Sequence, residues 1–381
     1  MSTPDTRTPV AVLGATGMVG QRFVSLLDGH PWFKLAEVAA STRSAGRRYA
    51  DAVVWASPGE VPASAADLVI EAVDEELPQR LSSPLVFSAL DAEVAREVEP
   101  AMARAGKLVI TNASAFRMDP RVPLLVPEVN AEHLALLPGF GEASAAAPPA
   151  AADAWGGNGG ALIANPNCST IGLVLALAPL ARAFGVEAAH VVSLQALSGA
   201  GRPGVSALDA LDNVIPFIAG EEDKLATEPG KILGRLVEHG GARRLEPDPV
   251  VISAQCNRVP VRDGHTLCVS VRLGDRAGRA PSREDVLAAW REFRGAAPVP
   301  GLPSAPPMPV VYDPAPTAPQ PLLHREVGRG MTAVIGRLQP CPVLGWRFVC
   351  LTHNTLRGAA GGALLCAELA LARGWRPTAR P

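Results

Sequence analysis

Asn165-Pro166-Asn167-Cys168-Ser169-Thr170 stands directly before an apolar run from Ile171 to Ala181. That places one thiol at a loop-to-helix junction, where orphan backbone N–H groups and the helix dipole favour negative charge. The expectation is a cysteine with a lowered pKa and a raised thiolate fraction, able to act as a nucleophile. A single cysteine is more often a small buried hydrophobe, so other residues must decide between the two readings. Of the seven histidines, only His265 lies in a tight turn, Asp263-Gly264-His265-Thr266, between two strand-like segments rich in polar residues. A lone histidine there is usually structural. Paired with an activated cysteine it becomes a general base and acid.

A cofactor signature precedes both. Pro9 to Leu13 reads as a buried strand, Gly14-Ala15-Thr16-Gly17-Met18-Val19-Gly20 follows at once, and Gln21 to Leu27 carries apolar residues at helical spacing. A strand, a glycine-rich turn and a helix start form a dinucleotide-phosphate cradle, in which glycines let backbone N–H groups approach the pyrophosphate. The second strand, Lys34 to Ala40, runs into Ser41-Thr42-Arg43-Ser44-Ala45-Gly46-Arg47-Arg48. No carboxylate stands there to take a ribose 2′-hydroxyl. Hydroxyls and guanidinium groups suit a 2′-phosphate, so NADP is the expected cofactor. A thiolate, an imidazole and a nicotinamide together imply interconversion of an aldehyde and an acyl derivative, through a thioester and hydride transfer. Tyrosine supplies a negative test. Short-chain reductases and epimerases use Tyr with Lys four residues on, but Tyr49 and Tyr312 are followed at that spacing by Val53 and Pro316. That class is excluded.

The elements around these residues complete an α/β reading. Further strands are expected at 67–73, 84–89 and 107–112, with a helix at 92–105 between the last two, so the sheet should be parallel and doubly wound. In the second half, 189–196, 250–254, 267–273, 331–338 and 346–352 read as strands, and a helix should run through Ala372. From Gly139 to Ala161 the chain is almost all Ala, Gly and Pro and reads as a flexible insertion; Pro298 to Pro321 is proline-dense and should lie extended over the surface.

Composition bounds the rest. A chain of 381 residues, 48% hydrophobic and 19% charged, should form two domains. A formal net charge of −2, with both signs interspersed, gives no nucleic-acid or membrane surface. The six cysteines form no C-x-x-C pair, so no metal site is expected. With no signal-peptide pattern before Val10, a cytoplasmic protein with reduced thiols is the expectation.

Assembled in order, the motifs resemble the aspartate-semialdehyde dehydrogenase family, closer to its archaeal-like branch. They are GATGMVGQRF at 14–23, STRSAG at 41–46, NASAFRMDP at 112–120, VPEVN at 126–130 and NPNCSTIG at 165–172, then QALSGAG at 195–201, GEEDK at 220–224, KILG at 231–234, NRVPVRDGHT at 257–266 and HNTLRGAAGG at 353–362. The resemblance implies a fold like glyceraldehyde-3-phosphate dehydrogenase: a Rossmann domain over 1–164, completed by 354–381, and an α+β catalytic and dimerisation domain over 165–353. It implies NADPH-dependent conversion of aspartyl-4-phosphate to aspartate 4-semialdehyde and inorganic phosphate, in amino-acid biosynthesis, by a homodimer or homotetramer. Carried over position by position, Cys168 would be the nucleophile, His265 the acid–base catalyst and Gln195 the group orienting substrate. Arg258 would clamp the α-carboxylate and Glu222 the α-ammonium; Arg117, Lys224 and Asn112 would hold phosphate. Gly14, Thr16, Gly17, Met18, Val19 and Gly20 would cradle the cofactor, Ser41, Arg43 and Ser44 its 2′-phosphate, and Asn354 its nicotinamide side. N–H donors at the Cys168 helix start would stabilise the oxyanion. Departures from the family pattern are the 139–161 insertion, the proline-rich 298–321 segment, and Leu322 and His324 where Arg and Asp are common. Relatives on this fold that reduce acyl-CoA thioesters or N-acetylglutamyl phosphate are the nearest alternatives, and a catalytically silent NADP-binding protein is the other.

Overall fold

The computed structural model describes residues 6–137, 140, 159–239, 242–275 and 278–376. A first sheet comprises β1 (Thr8–Leu13), β2 (Phe33–Ala40), β3 (Ile70–Ala72), β4 (Leu85–Ser88), β5 (Leu108–Thr111) and β6 (Ala161–Ala164). Its spatial order is β3-β2-β1-β4-β5-β6 and every pairing is parallel. This is the doubly wound dinucleotide-binding order. The main helices of the chain are α1 (Met18–Leu27), α2 (Ala92–Arg104), α3 (Cys168–Ala183), α4 (Glu221–Leu233), α5 (Arg283–Glu292) and α6 (Gly361–Ala372).

Alternation along β1 shows how the first sheet is covered. Val10 and Val12 face one core with Phe23, Val24 and Leu27 of α1 and Leu364 and Leu365 of α6. Ala11 and Leu13 face the other, with Val98 and Met102 of α2. A strand buried on both faces reads as a continuous apolar run, which is why Val10-Ala11-Val12-Leu13 was legible. The C-terminal helix thus closes the N-terminal sheet. β6 was not expected. It follows immediately on the Ala/Gly/Pro stretch, and four residues carry too little pattern to be told from it. The insertion expected at 139–161 otherwise falls almost wholly outside the described residues.

The second sheet comprises β7 (Val186–Gln195), β10 (Val251–Arg258), β11 (His265–Leu273), β12 (Val310–Asp313), β13 (Ala333–Cys341) and β14 (Gly345–Thr352), in the order β10-β7-β11-β14-β13-β12. β8 (Arg235–His239) and β9 (Ala242–Glu246) form a separate hairpin. The proline-dense segment contributes β12, a short parallel edge strand beside β13, so it is built into the sheet. One face of the sheet packs Val191, Val269 and Phe348 against α3 and α5. The opposite face leaves His190, Ser253, Gln255, Cys268 and Arg347 exposed among the described residues.

Between the sheets lies α3. Every residue from Ser169 to Leu180 is buried, as expected of a helix that is apolar all round. Its first residue is Cys168, so this core helix fixes the sulfur where the two sheets meet.

Candidate active site

Four elements bring the site together. β7 ends in Gln195, β10 ends in Arg258, β11 begins with His265 and α3 begins with Cys168. β7 pairs with both β10 and β11, and Gln195 lies opposite Arg258 in the ladder. Strand register therefore places three functional side chains at one edge of the sheet.

His265 Nε2 lies 3.2 Å from Cys168 Sγ, and its Nδ1 accepts the Ala196 backbone N–H at 3.0 Å. With Nδ1 so engaged, the proton of the neutral ring sits on Nε2 and faces the sulfur. Burial pushes the imidazole down to about 3, and the Arg258 charge acts the same way. The thiol differs from the sequence expectation. Burial pushes Cys168 up to about 12 and the Glu221 carboxylate adds to the rise, while Arg117, the Ser169 N–H and Arg258 pull the other way. Desolvation of the thiolate outweighs the helix terminus.

The helix start is also occupied. Asn167 caps α3, its Oδ1 accepting from Ser169 N at 2.9 Å and Thr170 N at 3.3 Å, and Asn167 N donates to Glu228 at 2.8 Å. Of the amides expected to hold an oxyanion, that of Cys168 itself has no such partner among the described residues. Gly358, in a wide turn at Leu356–Ala360, packs so closely that a Cβ there would fall 2.7 Å from that of Cys168.

Glu221, not Glu222, reaches the site. Glu221 accepts from Asn167 Nδ2 at 3.0 and 2.9 Å, from Gln195 Nε2 at 3.1 Å and from Lys224 Nζ at 2.8 Å. Burial would raise its carboxyl, yet the Lys224 charge and these hydrogen bonds hold it below the ordinary value. Glu222 turns to β10 and accepts from Cys256 N at 3.1 Å. Helical phase supplies the reason: residues three apart share a face, so Lys224 sides with Glu221, whereas Glu222 lies about 100° round the helix from Glu221 and about 160° from Lys224. That signal was present in the sequence.

Arg258 is buried and donates to Ala196 O at 2.7 Å. Arg117 donates to Glu228 at 3.0 Å and to Asn112 O at 2.7 Å, and Asn112 Oδ1 accepts from Asn165. Asn354 is committed within the chain, its Oδ1 accepting from Gly264 N and its Nδ2 donating to Ser198, both at 2.8 Å. It braces the turn ahead of His265.

The cradle fits a dinucleotide. Gly14 has φ +72°, and a Cβ there would meet Ala89 O at 2.5 Å; one on Gly20 would meet Gly14 O at 2.1 Å. α1 starts at Met18 with no side-chain cap, leaving its first amides for a phosphate. Two residues the sequence reading missed hold the loop: Tyr49 donates to Ala15 O at 2.8 Å and Gln21 to Thr16 O at 2.9 Å. At the end of β2, Arg47 bonds Asp51 O and Arg48 pairs with Asp67, while Ser41 and Arg43 stand exposed beside Ser44. Among the described residues no group of acids, cysteines and histidines could hold a metal, and no helix is long and apolar enough to cross a membrane.

Comparison with known proteins agrees with this geometry. Residues 9–137 match the model for the NAD binding domain of semialdehyde dehydrogenase, and residues 177–357 the model for its dimerisation domain. The aspartate-semialdehyde dehydrogenase of Archaeoglobus fulgidus is 44% identical, over 95% of this chain and 98% of the relative. That of Saccharomyces cerevisiae is 43% identical over 95% and 97%. The crystal structure of the Candida albicans enzyme with NADP superposes with a TM-score of 0.84 at 41% identity, covering 96% of this chain and 99% of that one. The chain belongs to the aspartate-semialdehyde dehydrogenase family.

Proposed function

We propose that the protein reduces L-aspartyl-4-phosphate to L-aspartate 4-semialdehyde with NADPH, reversibly, through a thioester on Cys168. The observation that carries this reading is the convergence on one sulfur of His265, Arg117, Arg258 and Glu221, in a chain whose relatives bear that enzyme's name. A cation pair, a carboxylate and a thiol are the partners an amino acid with a terminal acyl phosphate requires. A CoA ester would leave the buried Arg258 and Glu221 unexplained.

Cys168 attacks the acyl carbon; the C–S bond forms, the C–O bond to phosphorus breaks, and phosphate departs carrying the thiol proton. The His265 Nε2–H faces the sulfur and donates to the developing thiolate as that proton leaves. The oxygen of the attacked carbonyl is held by the Cys168 N–H and by His265 Nε2. Bound NADPH supplies the hydride that reduces the thioester. Collapse of the resulting hemithioacetal breaks the C–S bond, releases the aldehyde and returns the thiolate, which solvent reprotonates. Arg258 takes the α-carboxylate, Glu221 the α-ammonium, and Arg117 with Lys224 the phosphate. The Gly14–Gly20 turn holds the pyrophosphate, and Ser41, Arg43 and Ser44 the 2′-phosphate. The chain divides at 164/165, and its product serves aspartate-family amino-acid biosynthesis.

We propose further that the protein is at least a dimer, with the exposed face of the second sheet meeting a second copy; the match to a dimerisation domain supports this. Incubation with aspartyl-4-phosphate in the absence of NADPH, followed by peptide mass spectrometry, tests the chemistry. An aspartyl adduct on the Cys168 peptide and one equivalent of released phosphate are expected. Phosphate release without an adduct would overturn the thioester route.

A further inference from the structure

Helix α4 presents Glu221, Lys224, Glu228 and Lys231 at spacings of three, four and three, which puts them on one face. Leu225 and Ile232 are fully buried and anchor the helix to the core. Two of the four polar residues face the reacting groups. Glu228 and Lys231 do something else.

Glu228 is 2% exposed, and its two oxygens go to different places. Oε1 accepts from the Arg117 guanidinium at 3.0 Å, and Oε2 accepts from the backbone N–H of Asn167, next to Cys168, at 2.8 Å. One turn on, Lys231 donates to three backbone carbonyls of the Arg117 arm: Arg117 O at 2.7 Å, Asp119 O at 2.7 Å and Val122 O at 2.8 Å. α4 therefore grips the nucleophile loop twice, at the Asn167 side chain through Glu221 and at its backbone through Glu228. It grips the Arg117 arm twice as well, at the guanidinium and at the backbone.

Building on the activity proposed above, we infer that Glu228 is a positioning residue that sets the Arg117 guanidinium and the Cys168 loop in fixed relation, so that attack on the acyl carbon and capture of the departing phosphate are aligned. A buried carboxylate bonded only to a loop amide would need no cation, and one paired only with arginine would need no amide. A single carboxylate joining both transmits any displacement of one partner to the other. Charge-assisted bonds to guanidinium and amide satisfy both oxygens, as burial demands. The second hydrogens of the Arg117 terminal nitrogens are left for phosphate.

The test compares Glu228→Gln, Arg117→Lys and their combination for phosphate-dependent turnover, with melting temperature recorded for each. Glutamine keeps an acceptor for the Asn167 amide but turns an N–H toward the guanidinium. Phosphate KM should rise about tenfold or more and kcat should fall, because small misplacements at a reacting centre cost up to about a hundredfold. The double variant should be little worse than Arg117→Lys alone, since both changes remove the same alignment. If Glu228→Gln does not fold, Glu228→Asp is read in its place; it keeps the charge but falls short of spanning both partners. An unchanged phosphate KM in a folded variant, or full additivity with Arg117→Lys, overturns the inference. If the wild-type enzyme itself shows no turnover, the activity assignment fails. The same comparison is then read from inorganic phosphate protecting Cys168 against iodoacetamide, which needs binding alone.

Discussion

The Nε2 atom of His265 stands 3.2 Å from the sulfur of Cys168, while Nδ1 on the far side of the ring accepts the Ala196 N–H. The unliganded pair is therefore a thiol beside a neutral imidazole, with the cysteine raised to about 12 and the histidine lowered to about 3. Alkylation of Cys168 by neutral iodoacetamide, followed at the peptide level, should climb steadily with pH, about tenfold per unit, because only the scarce thiolate reacts. No inflection is expected between pH 5 and 8. A plateau above about pH 6 would mean instead that a thiolate–imidazolium pair forms at rest.

The carboxylate at the site belongs to Glu221. Its four accepted contacts involve Asn167, Gln195 and Lys224, whereas Glu222 meets a strand amide. Glu221→Gln should lower kcat/KM for the aldehyde by about a hundredfold, the scale of losing a charged positioning contact. Glu222→Gln should leave kcat/KM within about threefold and cost about 1 kcal/mol of stability, as one strengthened hydrogen bond weakens. Steady-state kinetics on the pair of variants distinguishes the two positions.

What the sequence conveyed and what it withheld have physical causes. The Cys168 turn, the Gly14–Gly20 cradle and His265 were legible because their function depends on local geometry: a helix start, a tight turn and a strand end. The phase of α4 was also written in the spacing from Lys224, and the one-residue misplacement at Glu222 shows how two adjacent acids defeat motif matching alone. The roles of Glu228 and Asn167 arise from contacts across 54 to 111 residues that no local pattern encodes. The sign of the Cys168 shift was hidden because burial is a property of the fold, and it outweighs the helix terminus that the sequence displays.

A buried ion pair ties the C-terminal segment to the first half of the chain. Arg357 donates to both oxygens of Glu128, at 3.0 and 2.7 Å, and each side chain is 1% exposed. Arg357→Met leaves a carboxylate buried without its cation and should destabilise the protein by about 3–5 kcal/mol. Replacing both residues with apolar ones should cost less than that single change. Denaturant melts of the three proteins test the order.

Gly358 gives a sharper probe of the nucleophile. Alanine there would press a methyl group against Cys168, so kcat should fall about tenfold or more while NADPH affinity is retained. Equal losses in cofactor binding, measured by fluorescence titration, would point to a collapse of the whole domain instead.

Glu99 of α2 is fully buried and accepts the Thr111 hydroxyl at 2.5 Å; burial pushes its carboxyl up to about 7. The folded protein thus holds a proton that the unfolded chain releases above its ordinary value of 4.5. Its stabilising contribution is intact below that value and is lost as pH rises through about 7. Glu99→Gln should match the wild type in thermal stability near pH 4.5 and exceed it by up to about 3 kcal/mol near pH 8.5. A constant difference across that range would exclude the titration.

The most direct test of the central claim is NADP reduction by aspartate 4-semialdehyde, measured with and without inorganic phosphate, in wild type and Cys168→Ala. Turnover that requires phosphate and vanishes in the variant is the predicted result. Tight NADPH binding without turnover by the wild-type enzyme, or phosphate-independent reduction surviving in Cys168→Ala, would contradict it.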